Sequence, residues 1–208
     1  AFHGDDIHEA ADREGLLSRL KRDLNLETLY PVHRLDRVTS GLLVFAKTKA
    51  VNRSLSQQFE QREIEKYYLA ISNKKPKKKQ GKIVGDMARG RRGAWKILPT
   101  SENPAITQFF SQALPAGGRL FLLKPRTGKT HQLRVALKSL GAPILGDALY
   151  SGDRADRTYL HAYALAFTLN GIRHQFVCAP TQGARFLCDG FTQVLAQYDE
   201  PWDLSWPK

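Results

Sequence analysis

Hydrophobic positions along this chain recur in short runs whose spacing alternates between helical and strand-like. Over residues 13–24, Leu16, Leu17, Leu20 and Leu24 repeat at helical spacing and predict an amphipathic helix with a core-facing leucine stripe. A strand-like run follows at 28–33 (TLYPVH), and a second at 41–47. Residues 50–62 return to helical spacing, with Val51, Leu55 and Phe59 on one stripe. Residues 66–72 then read as a strand, Tyr68 and Ala70 on one side and Tyr67, Leu69 and Ile71 on the other. This order predicts that the segment before residue 41 and the strand holding Tyr68 belong to neighbouring parts of one sheet. Two more strand-like runs, 106–114 and 119–124, are joined by PAGG, a hairpin turn. A short helix is expected over 130–140, ended by Gly141, with Arg134 beside its apolar stripe and able to reach sideways. Strands at 159–168 and 174–178 and a helix at 191–198 complete the pattern, and the tail with Trp202 and Trp206 is too short to assign. Residues 1–12 give no structural signal. No internal repeat is visible, and one α+β domain over 1–208 is expected.

Composition narrows the function classes. Apolar residues make up 42% of the chain, enough for a sizeable core. No run of ~18 apolar residues predicts a membrane span, and no signal-peptide pattern is present. Cys178 and Cys188 make no metal-ligand pattern and fit free thiols in a reducing compartment, so a cytoplasmic location is expected. The net charge is +12, and most of it has one source. Residues 74–96 hold ten Lys/Arg, among them Lys77, Lys78, Arg91 and Arg92, against Asp86 alone; the remainder has 22 basic and 19 acidic residues. So concentrated a patch points to a polyanion, nucleic acid first. Its glycines predict a flexible basic loop or hairpin, and Trp95 within it either stacks on a base or closes a small apolar cluster.

The chemistry concentrates in HRLDRVTSG, residues 33–41. Asp36 stands between Arg34 and Arg37, cations that favour the ionised carboxylate, where a loop meets an apolar strand. This stretch resembles the H-R-L-D-x-x-T-S-G motif of the RluA-type RNA pseudouridine synthases at every specified position. Lys66, Tyr68 and Ala70 fit that family's K-x-Y-x-A, TGKTHQLR (127–134) its T-G-R-T-H-Q-I-R, LGAPILGDALY (140–150) its L-G-x-P-I-x-G-D-x-L-Y, and Leu160-His161-Ala162 its L-H-A. The resemblance runs in order over residues 30–180. Lys129 stands where Arg is usual and Ala136 where His is frequent. The family's N-K-P-x-G strand is not found, so an N-terminal strand is expected to be missing ahead of Ala1.

The resemblance implies the pseudouridine synthase fold, a mixed, largely antiparallel sheet with flanking helices and a central cleft. It implies isomerisation of uridine to pseudouridine in ribosomal or transfer RNA. The N1–C1′ bond breaks, the base turns over and C5 bonds to C1′; nothing is oxidised or hydrolysed, so no cofactor or metal is required. Three site residues are carried over. Asp36 is the catalytic carboxylate, acting as nucleophile or as base. Arg134 pairs with it, and Tyr68 packs on the uracil. Arg34, Arg37, Lys129, His131, Lys77, Lys78, Arg91 and Arg92 are expected to bind substrate, with Arg34 or Arg37 displacing the target base at a cost of a few kcal/mol. His131 and His161 are expected to be hydrogen-bonded supports. A monomer partnered only by RNA is expected. The alternative is a non-catalytic RNA-binding protein of the same fold.

Other patterns fail. A P-loop ending in Gly128-Lys129-Thr130 would need glycine at 123, which is Leu. A triad of His33, Asp36 and Ser40 is too crowded in one loop and lacks G-x-S-x-G. The six histidines form no zinc spacing.

Overall fold

The computed structural model describes residues 15–208. Its elements in chain order are α1 (Leu16–Asp23), β1 (Tyr30–Pro31), β2 (Ser40–Gly41), β3 (Phe45–Ala46), α2 (Lys49–Glu60), β4 (Glu65–Ser72), β5 (Gln80–Gly85), β6 (Met87–Arg89), β7 (Trp95–Ile97), β8 (Ala105–Ala113), β9 (Arg119–Pro125), α3 (Gln132–Ser139), β10 (Leu160–Leu169), β11 (Ile172–Val177) and α4 (Phe191–Leu195).

The main sheet runs β11-β10-β4-β9-β8-β5, antiparallel throughout, and β2 joins it as a parallel partner of β10. The α+β fold with a mixed, largely antiparallel sheet is thus as expected. The central strands are buried along both faces: β9 is buried at every position and β4 from Leu69 to Ser72. Cross-strand partners share a face, so Tyr68, Leu123 and Phe109 lie on one side. Leu69, Leu122 and Phe110 lie on the other. Helix α3, through Leu133, Ala136 and Leu137, fills the core of the first side. Helix α4 and the C-terminal tail cover the second, where Trp206 packs 4.9 Å from Phe110 and 5.7 Å from Tyr67, ring centre to ring centre. The tail, unassigned from sequence, is therefore a layer of the fold. A second apolar cluster joins Leu55 of α2 to Leu165 and Phe167 of β10, and Thr48 caps α2 by accepting the Val51 N–H.

Four expectations change. The start of the first helix at Arg13 lies outside the described residues, and no residue of α1 is buried: Leu16 and Leu24 are 43% and 57% exposed. Leucine spacing defines a stripe but not what covers it. Residues 28–33 and 41–47 form only two-residue pairings, β1 with β3 and β2 with β10. Asp36 sits on the loop between β1 and β2, not on a sheet strand, and β10 separates β2 from β4. The basic stretch is ordered as strands: β5 is an edge of the main sheet, and β6 and β7 form a separate hairpin. Among its glycines, Gly85 serves a close backbone approach. A Cβ on Gly85 would stand 2.4 Å from the Leu98 carbonyl oxygen.

Candidate active site

A cleft of about 270 Å³ opens on the Tyr68 face of the sheet. Tyr68 and Leu160 form part of its floor, the loop with His33, Arg34 and Asp36 one wall, and the turn with Lys129 and His131 the opposite wall. It crosses the middle of the sheet because Tyr68, Pro125 and Leu160 come from the central strands β4, β9 and β10.

Each wall is fixed by buried polar chemistry. The Asp36 loop is pinned on both flanks. His33 Nε2 accepts the Val44 N–H at 3.0 Å, and its ring stacks on Phe59. Burial, with help from the Lys66 charge, lowers His33 to about 4, so it is a neutral acceptor at pH 7. On the other flank Ser40 is hydrogen-bonded to His161 Nδ1 at 2.8 Å, and the His161 Nε2–H donates to the Cys178 carbonyl at 2.8 Å. The opposite wall is organised by buried Gln132 at the start of α3. Its side-chain oxygen accepts from the Thr127 hydroxyl and the Lys129 N–H, and its amide donates to the Ile106 carbonyl and the Thr107 hydroxyl. All four of its hydrogen-bonding positions are filled, which holds the TGKTH turn over the cleft.

Behind Asp36 lies a buried ion pair. Arg134, only 5% exposed, donates from Nε and Nη2 to the two carboxylate oxygens of Asp147 at 2.7 and 2.8 Å. Its Nη1 stands 3.7 Å from Asp36 Oδ2. Burial opposes the charge on Arg134, but the hydrogen bonds and charge of Asp147, with the Asp36 charge behind them, raise its pKa. Its guanidinium also lies 5.0 Å from the centre of the Tyr150 ring. The Tyr150 hydroxyl accepts the Trp95 N–H and is hydrogen-bonded to His131 Nδ1, both at 2.9 Å. Burial, and after it the Asp36 charge, pushes the Tyr68 phenol far above its ordinary range.

The structure thus brings Asp36, Tyr68, Arg34, Lys129 and His131 to one cleft and sets Arg134 against Asp36 from behind. Arg134 is not a side chain reaching outward: its short bonds are to Asp147. Arg37 lines a neighbouring cavity instead. Lys77 and Lys78 are exposed between β4 and β5, and Arg91 and Arg92 at the β6–β7 turn, away from the cleft lining. Trp95 is half-buried beneath that turn, its ring 5.8 Å from the Arg89 guanidinium. Sequence reasoning gave no role to Asp147, Tyr150 or Lys66, although all three lie inside the quoted motifs. Lys66 lines the cleft, and burial lowers its pKa.

Residues 2–139 match the family model described as RNA pseudouridylate synthase. A Haemophilus influenzae protein named an uncharacterized RNA pseudouridine synthase is 50% identical over 182 residues, 86% of this chain and 81% of its own length. This chain is an RNA pseudouridine synthase. The dual-specificity RNA pseudouridine synthase RluA of Salmonella typhi is 36% identical over 171 residues, covering 76% of this chain and 74% of its own. The solved structure of human RNA pseudouridylate synthase domain containing 1 superposes with a TM-score of 0.72 at 27% identity, covering 88% of this chain and 84% of the other. The enzyme is therefore an isomerase of the RluA-type family.

Proposed function

We propose that this synthase isomerises specific uridines in structured ribosomal or transfer RNA, with Asp36 as the catalytic carboxylate. The observation that carries this is Asp36 in a cleft floored by Tyr68, with Arg134 at its back. The target uridine leaves its stack and enters the cleft, where Tyr68 packs against the uracil. Asp36 faces the sugar edge. Whether it bonds to the nucleotide or removes a sugar proton, it does so with the Arg134 guanidinium 3.7 Å behind it. The N1–C1′ bond breaks, C5 bonds to C1′, the proton on C5 leaves to solvent or a cleft base, and N1 takes up a proton in its place. Tyr68 meets this step protonated, since burial and the Asp36 charge hold its hydroxyl neutral. Arg34, Lys66 and Lys129 place positive charge at the cleft, and Arg34, the motif arginine that lines it, displaces the base. Lys77, Lys78, Arg91 and Arg92 hold more distant phosphates. Residues 1–208 act as one catalytic domain and as a monomer, in the cytoplasm; no described helix is long and apolar enough to cross a membrane. The isomerisation needs no cofactor, because the atoms and electrons of product and substrate are the same.

Tritium release from RNA labelled at uridine C5 tests the reading. Because one relative is a dual-specificity enzyme, ribosomal and transfer RNA transcripts both belong in the assay. Wild-type release that disappears in Asp36→Asn, with RNA binding kept, is the expected result. Binding without release on every RNA would favour a non-catalytic binder; undiminished release by Asp36→Asn would reject this carboxylate.

A further inference from the structure

The loop that carries Asp36 has a second side. There Arg37, Ser40, Arg157 and Gln182 line an open cavity of about 450 Å³. Arg157 donates from Nη2 to Ser40 Oγ at 2.6 Å, from Nε to the Thr158 carbonyl at 3.2 Å and from Nη1 to the Gln182 carbonyl at 3.3 Å. All three acceptors are neutral, and no carboxylate among the described residues makes an ion pair with Arg157. Asp156 shares the cavity, but its Oδ1 accepts from the Tyr159 hydroxyl at 2.6 Å and its Oδ2 from the Ala184 N–H at 3.1 Å. A half-buried guanidinium held in place by neutral groups and facing an open cavity is prepared for an anion.

The same guanidinium is wired to the active-site loop. The Cys178 carbonyl can only accept, so the His161 proton sits on Nε2, and Nδ1 accepts from the Ser40 hydroxyl. The Ser40 oxygen then takes the Arg157 N–H on a lone pair. Ser40 opens β2, four residues after Asp36, and the Asp36 carbonyl accepts the Thr39 N–H at 2.8 Å between them.

We propose that this cavity is a phosphate subsite. Arg157 and Arg37 each hold a phosphodiester of the bound RNA beside the target nucleotide, and Arg157, through Ser40, makes the position of Asp36 depend on that contact. The inference rests on the reading that the ligand is RNA, but not on turnover.

The test is the salt dependence of binding a fluorescein-labelled transfer RNA transcript, read as log Kd against log salt. Each lost phosphate contact lowers the slope by about 0.7–0.9. Arg157→Gln and Arg37→Gln should each lower it by that amount. Arg157→Lys, which keeps the charge, and Ser40→Ala, which keeps the guanidinium, should retain the wild-type slope. Ser40→Ala should lower kcat for tritium release several-fold with KM kept. Unchanged slopes in both glutamine variants would overturn the subsite. Should Arg157→Gln not fold, the exposed Arg37 decides alone. A wild-type protein that binds without releasing tritium would defeat the isomerase reading and leave these slopes readable. A wild-type protein that binds neither this transcript nor a ribosomal RNA transcript would defeat both.

Discussion

Arg134 gives its two short hydrogen bonds to Asp147 and meets Asp36 at 3.7 Å from its remaining nitrogen. One guanidinium thus serves two carboxylates with different tasks. Asp147, 1% exposed, neutralises and orients it; the Asp36 carboxylate, at the cleft, makes no side-chain hydrogen bond among the described residues. Asp147→Asn removes the neutralising charge at nearly constant shape. Breaking a buried pair from one side costs about 3–5 kcal/mol. The nearby Asp36 charge and a surviving amide contact reduce that to about 2–3 kcal/mol. We expect lower thermal stability and a kcat at least ~10-fold down with RNA binding retained. Wild-type melting in this variant would show that Asp147 does not anchor Arg134.

Tyr68→Phe separates the ring from the hydroxyl. Among the described residues the Tyr68 hydroxyl has no hydrogen-bond partner, so its removal should change stability by less than about 0.5 kcal/mol. If the hydroxyl takes part in proton movement at C5, turnover should fall by about 10²-fold or more. Single-turnover tritium release with saturating protein checks this. Undiminished release would confine Tyr68 to packing.

What could be read from the sequence follows the range of the forces involved. Helix α2 and strands β4, β8 and β9 are visible because each carries its own spacing and bounding turns. Asp36, Tyr68 and Arg134 were named only through the motif resemblance. Their meeting depends on β10 bridging β2 and β4, pairings between 90 and 121 residues apart in sequence. Asp147 was missed for the same reason. Its partner lies 13 residues away across a loop, and an Asp after glycine reads equally well as a turn residue. Arg157 gives no periodic signal at all; only the fold puts it against Ser40.

Acid should destabilise the protein in two separable stages. His33 is held neutral, at about 4 against an ordinary value of 6.5. The folded state then binds fewer protons than the unfolded one between these values, and stability falls as pH drops from about 6.5 to 4. On the far face of the sheet Glu65 is pushed up by burial. Hydrogen bonds from Tyr67, Lys124 and Arg173 outweigh this and bring it down to about 2 from 4.5. Its contribution is complete above pH 4.5 and is lost as pH falls toward 2. At ~1.4 kcal/mol per pKa unit the His33 stage is worth about 3–4 kcal/mol, and the Glu65 stage about 2–3 kcal/mol once the half-exposed Arg173 contact is discounted for solvent. Urea unfolding from pH 7.5 to 3 checks this. Glu65→Gln should flatten the profile below pH 4.5 and leave the upper stage intact; a flat wild-type profile between 6.5 and 4 would remove His33 from the account.

Gly41 closes the motif at φ +107, and a Cβ there would stand 2.2 Å from the Ala162 carbonyl oxygen. That oxygen accepts the Leu42 N–H at 2.9 Å as β2 lies parallel to β10. Gly41→Ala therefore faces both an unfavourable backbone angle and a backbone overlap that only separation of the two strands can relieve. Gly117 supplies the comparison: its φ is +84, but a Cβ there meets nothing within 4 Å. Strain alone should cost Gly117→Ala about 1–2 kcal/mol. Gly41→Ala should cost at least about 3 kcal/mol, and because Asp36 is five residues upstream it should also suppress tritium release in the fraction that stays folded. Urea midpoints at equal m-values measure the first difference, and activity per folded molecule the second. Equal midpoints for the two variants would mean that the β2–β10 contact yields easily, and that the Asp36 loop is held chiefly by Ser40 and His33.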